Sequence, residues 1–225
     1  MIWSQNGNSK LQINSPGILF SESVKVNTKV SQEVTISLSE IIPKRALIEH
    51  DLVERFSFQS DTLTRWWNQS MNIKAPVLLP SGYSNNPNKY NPIRYDVTGY
   101  GGRYIRVSRL VHNEKFISWW ISNDTPQIIT VFLDGEGPFG DSYQLDSENS
   151  SPYGEMLINE LIPKIEKQYR ILGTSKTRFV DGCSTRGWVS LPLQLFYPET
   201  FNGCWSYSTD YVSFEKMQLV NSYKD

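Results

Sequence analysis

Histidine is almost missing from this sequence: 225 residues contain only His50 and His112. Cysteine is as scarce, with Cys183 and Cys204 alone. Two cysteines cannot build a disulfide framework, and two isolated histidines give no zinc-ligand spacing, so no metal or cofactor is expected. A surplus of charge is lacking too. Lys plus Arg number 22 against 23 for Asp plus Glu, a net charge of −1. Binding phosphates takes a basic excess, so nucleic acid and anionic membranes are not expected partners. No apolar run approaches the roughly 18 residues of a membrane-spanning helix. The opening residues Met1 to Asn8 hold neither a basic stretch nor an apolar core. No signal peptide is therefore expected, and the compartment stays open.

What is present suits one large domain, or one domain with a small appendage. A chain of this length can bury about 70% of its unfolded surface, so its core needs no staples. Aromatic residues reach 13%, with seven Trp that include the pairs Trp66-Trp67 and Trp119-Trp120. They are expected mostly in the core, the alternative being a stacking platform for a sugar or aryl ligand.

Residues 1–60 read as a β-rich region. Ile18–Phe20, Val24–Val26, Val34–Leu38 and Leu52–Phe58 alternate or run apolar between polar turns. Residues 61–225 read as an α/β domain. Its short apolar runs, Ala75–Leu79, Ile93–Val97 and Ile128–Leu133, are those of strands buried on both faces. Gly154–Arg170 has near-helical spacing, with Pro163 expected to kink it or start a second piece. Arg178–Val180 is a further strand and Thr185–Tyr197 a further helix. Strands alternating with helices imply a mostly parallel sheet with helices on its faces.

The chemistry is sought at Gly182-Cys183-Ser184-Thr185. Gly-x-Ser alone says little, since it also ends at Ser9, Ser84, Ser142 and Ser175. Only Ser184 directly follows an apolar strand and opens directly into a helical stretch. Strand–turn–helix is the setting of a nucleophile elbow, which lifts a serine oxygen above the sheet edge. The backbone N–H of Thr185 would be one oxyanion donor. The glycine loop Gly99-Tyr100-Gly101-Gly102 would supply the other, since glycine permits close backbone approach. Cys183, beside the serine, is expected to point into the sheet as packing. Trp188 and Trp205 are expected in the core. The carboxylates Asp134, Glu136 and Asp141 read as a solvated glycine-rich turn, or else as a substrate or cation loop. Asp146 to Ser151 reads as a polar loop capping the next helix.

Several stretches together resemble the putative esterase family, the enterochelin-esterase-like α/β-hydrolases. They are Ala75–Tyr83 (Ala-Pro-Val-Leu-Leu-Pro-Ser-Gly-Tyr), Gly99–Gly102, Tyr153–Glu166 and Gly182–Trp188, running on to Phe196–Phe201. The resemblance covers roughly residues 50–225. It implies a serine esterase acting on a small-molecule ester, one that can be carbohydrate- or siderophore-linked. Ser184 would be the nucleophile, with the amides of Tyr100, Gly101 and Thr185 as the oxyanion hole.

Three departures bear on activity. Arg186 stands where the family's elbow has its second glycine, with Gly187 one place late. That should strain the turn or force it open, unless Arg186 simply points to solvent from a relaxed turn. Pro192 falls inside the elbow helix, where it removes a hydrogen bond. Finally, the fold's order is Ser, acid, His, yet no histidine follows Ser184; Asp210, Glu215 and Asp225 could serve as acids. His50 and His112 precede the serine and lie outside the position expected for the base. These departures imply a chain truncated relative to its family, or a hydrolase fold that binds without catalysing.

Overall fold

Six strands form one sheet in the order β6-β5-β3-β4-β2-β1. They are β1 (Val53–Glu54), β2 (Val77–Leu78), β3 (Ile93–Asp96), β4 (Ile129–Phe132), β5 (Arg178–Cys183) and β6 (Gly203–Tyr207). The four from β6 to β4 run parallel, while β2 and β1 are each antiparallel to their neighbour. The computed structural model describes residues 17–43, 46–99, 102–138, 140–212, 215–217, 220–221 and 224. The chain divides into two compact units, Met1–Ala46 with Pro138–Gly140, and Leu47–Gly137 with Asp141–Asp225.

Period-2 alternation decides which side chains go to which face. Ile93, Tyr95 and Val97 join Val77, Ile129, Val131 and Val180 in the larger core cluster. Leu78 and Phe132, one residue out of phase, join Leu47, Val107, Val111 and Trp120 in the smaller one. Helices α1 (Asp61–Trp67), α4 (Tyr153–Met156), α5 (Ile162–Gln168) and α6 (Thr185–Phe196) supply Leu63, Met156, Ile165, Val189 and Leu193 to the larger cluster. Helices α2 (Arg106–Val111) and α3 (Glu114–Trp120) cover the smaller. This is the α/β sheet expected, flanked by helices on both faces.

Pro163 acts as expected. A π-helical segment, Leu157–Leu161, joins α4 to α5, and Pro163 sits in the first turn of α5. The wider π turn relieves the clash between the proline ring and the carbonyl four residues back. Asp146 accepts from the Glu155 amide at 2.9 Å, so its loop does cap this helix. Helices α1, α2 and α3 and strand β6 were not apparent from periodicity. The first three are only seven, six and seven residues long, about two turns, too short to show a stripe.

In the first unit the strand pairing is slight. Leu19–Phe20 pairs antiparallel with Glu40–Ile41. Expected strands Val24–Val26 and Val34–Leu38 have no ladder partner among the described residues, and Val24, Val26, Val34, Ile36 and Leu38 are exposed. Alternation marks a residue pattern; a strand also needs a neighbour for its backbone.

Candidate active site

Strand β5 ends at Cys183, α6 begins at Thr185, and Ser184 alone makes the turn between them with φ 62° and ψ −129°. Such a backbone state costs a non-glycine residue about 1–3 kcal/mol and persists only where its surroundings hold it. Here they do. The Ser184 amide donates to Tyr207 O at 2.9 Å, and Ser184 O accepts from the Trp188 amide at 3.0 Å. Gly182 lies so close to the first turn of α6 that a Cβ there would sit 2.4 Å from the Arg186 carbonyl carbon. Gly187 seats α6 on β6: its Cβ would be 2.9 Å from Tyr207 O, and Ser206 Oγ donates to its carbonyl at 2.7 Å. Ser184 is exposed at the carboxyl end of the sheet.

Arg186 neither opens this turn nor leaves it relaxed. Its Cβ lies against Gly182, and its Cγ and Nε run alongside Gly99, 2.8 and 3.0 Å from where a Cβ of that residue would stand. Two glycines therefore make the room that the family's second elbow glycine would otherwise provide. Pro192 likewise leaves α6 unbroken from Thr185 to Phe196. Cys183 corrects an expectation: it is exposed rather than packed. Pairing of β5 with β3 ends at Asp181↔Asp96, so Cys183 projects past β3, paired across the ladder with Tyr207 of β6. Trp205 on that edge strand is also exposed, its ring tilted against Phe179 at 5.2 Å, while Trp188 packs on the core.

Beneath the turn lies a charged cluster. Arg106 from α2 ties strand ends together, donating to Asp96 Oδ1 at 2.8 Å, Thr98 Oγ1 at 2.6 Å and Leu133 O at 2.7 Å. Arg103, just past the glycine loop, pairs with Asp134 at 2.9 Å and with Glu136. The turn holding Asp134 is thus not a set of solvated acids, since two of its carboxylates anchor an arginine. Asp181 lies 3.5 Å from Arg94, and its Oδ1 and the Arg94 Nε are buried without a hydrogen-bond partner among the described residues. Burial raises the Asp181 pKa to about 6, against the opposing pull of Arg94. This cluster was missed in the sequence. Its signal was the alternation Ile93-Arg94-Tyr95-Asp96-Val97, which puts charges on one face of a central strand.

The remaining sequence candidates scatter. Thr185 stands at the first position of α6, where its N–H has no helical acceptor, and its hydroxyl donates to Asp210 Oδ2 at 3.1 Å. Tyr100, Gly101 and Asp225 lie outside the described residues. Glu215 is exposed. His50 bridges to Val53 at the far edge of the sheet, and His112 stacks edge-on against it at 6.2 Å. Four strand spacings of about 4.8 Å separate that edge from β5, on the order of 19 Å.

The sequence profile of the family described as putative esterase matches residues 68–214, a span that contains the glycine loop and the serine turn. The chain belongs to the putative esterase family. Solved structures share this esterase fold. A ferulic acid esterase superposes with a TM-score of 0.57 at 20% identity, over 70% of this chain and 58% of its own. An S-formylglutathione hydrolase from Agrobacterium tumefaciens gives 0.52 at 18%, over 68% and 56%. A ferulic acid esterase from Anaeromyces mucronatus, in complex with ferulic acid, gives 0.51 at 19%, over 70% and 58%. The chain therefore spans 56–58% of the length of these structures. No curated protein matches the sequence. Within the putative esterase fold, β5, the Ser184 turn and α6 bring the strained serine beside the amide of Thr185.

Proposed function

We propose that the protein is a serine-dependent carboxylic-ester hydrolase with Ser184 as nucleophile. The observation that carries this reading is the strained, exposed serine at the β5–α6 turn, backed by two glycines that admit no Cβ. An energetically unfavourable backbone at a single reactive side chain points to function rather than packing. Ser184 Oγ would attack the ester carbonyl. The Thr185 amide, with those of Tyr100 and Gly101, would receive the oxyanion. Collapse would release the alcohol and leave an acyl-serine for water to cleave. Small esters of aromatic acids or thiols are suggested by the names of the similar structures, and carbohydrate- or siderophore-linked esters are the finer proposal.

A second reading has its own support: His50 and His112, the two histidines of this sequence, lie at the edge of the sheet far from Ser184. Without a base a serine is a weak nucleophile near neutral pH. On that reading the fold binds an ester or acid without turning it over. Hydrolysis of p-nitrophenyl acetate by the whole chain, beside Ser184→Ala, separates the two. Turnover that the alanine variant loses by a factor of about 10³ or more supports the esterase. A folded chain that neither turns over nor takes a fluorophosphonate on Ser184 supports the binding protein.

A further inference from the structure

We infer that Arg186 is the substrate-binding cation of this site and selects esters that carry a carboxylate or phosphate group. For turnover this rests on the esterase reading above; for binding it stands independently.

The sheet topology says where a ligand would lie. From β3 the chain crosses to β4 on one side, and later enters β5 on the other. At such a switch point the two connections part and leave a crevice at the carboxyl ends of the strands. Those ends here are Gly99, past β3, and Gly182 to Ser184, at the end of β5. Arg186 threads between them, its Cβ on Gly182 and its Cγ and Nε on Gly99. A large cation thus occupies the crevice at a position where the family carries only a hydrogen.

Of the arginines gathered around this crevice, the other three each have a carboxylate at ion-pair distance. Arg106 is matched by Asp96, Arg103 by Asp134 and Glu136, and Arg94 by Asp181. Among the described residues Arg186 has no carboxylate at ion-pair distance. Arg186 is half-buried, and its guanidinium offers a planar fork of donors that matches carboxylate and phosphate oxygens.

The test compares kcat/KM for mono-p-nitrophenyl succinate with that for p-nitrophenyl acetate, which share a leaving group and differ in one carboxylate. The wild-type chain should favour the succinate by roughly 10-fold or more, as expected of a charge-assisted contact. Arg186→Gln should bring the ratio near one, and Arg186→Lys should keep part of it. Raising the salt from about 0.05 to about 0.5 M should shrink the wild-type ratio by screening. A ratio near one in the wild type, or one unchanged by Arg186→Gln, overturns the inference. So does a rise in acetate hydrolysis in that variant with no loss of preference, which would make Arg186 a plug. If neither ester is cleaved, the esterase reading fails and binding decides. Saturable stabilisation of the wild type by succinate or inorganic phosphate, lost in Arg186→Gln, upholds the inference and tells carboxylate from phosphate. No stabilisation by either overturns it.

Discussion

At the scale of single residues, the turn shows how a large side chain is accepted where only glycine would be expected. Arg186 fits because Gly182 and Gly99 leave vacant the volumes its Cβ and stem occupy. Nothing in the motif itself reveals this, since Gly99 lies over eighty positions upstream. Asp181 carries the clearest titration. It is faced by Arg94 and Asp96 from β3, Arg106 from α2 and Arg186 from α6, and burial leads these influences in raising its pKa to about 6. In the unfolded chain an aspartate titrates near 3.9. Between those values the folded state holds a proton that the unfolded state has released, so stability falls as pH rises. The contribution is full below about pH 4 and is lost through pH 6, with a size on the order of 2–3 kcal/mol. Asp181→Asn should remove this slope, read from urea midpoints at pH 4, 5, 6 and 7.

At the scale of elements, α6 matters most, since its first residue orders the serine turn. It survives Pro192, which denies Trp188 O its helical partner and sits only part-buried. Pro192→Ala should therefore stabilise the protein by about 1–3 kcal/mol. That is below the full interior-proline penalty, because alanine also frees the unfolded chain. Equilibrium urea unfolding checks it, and a loss of stability would mean that the proline ring packs better than the missing hydrogen bond costs. Legibility at this scale followed length and burial. The strands at Ile93 and Ile129 and the helices at Gly154 and Thr185 were readable because a long apolar stripe or a run buried on both faces marks them. The short helices α1 to α3 were not, being made by local caps such as Ser60 on the Leu63 amide and Asn113 on the Phe116 amide.

At the scale of the whole molecule, every buried apolar side chain among the described residues lies at Leu47 or beyond. The second unit therefore holds its own core, and a chain starting at Leu47 should fold. Its urea midpoint should keep the stability of the whole chain to within about 1 kcal/mol, as expected when no buried apolar residue is removed. A broad, non-cooperative transition would contradict this. The α/β pattern and the candidate serine could be read from the residues alone, because a strand, a glycine, a serine and a helix in succession are local information. It was the tertiary structure that decided which distant groups share the site. Strand order places Gly99 beside Gly182 and both histidines four strands away, and it gathers Arg94, Asp96, Arg106 and Asp181 beneath the serine. These neighbours are set by pairing between strands far apart in the chain, which the burial of both sheet faces selects and which no local motif encodes.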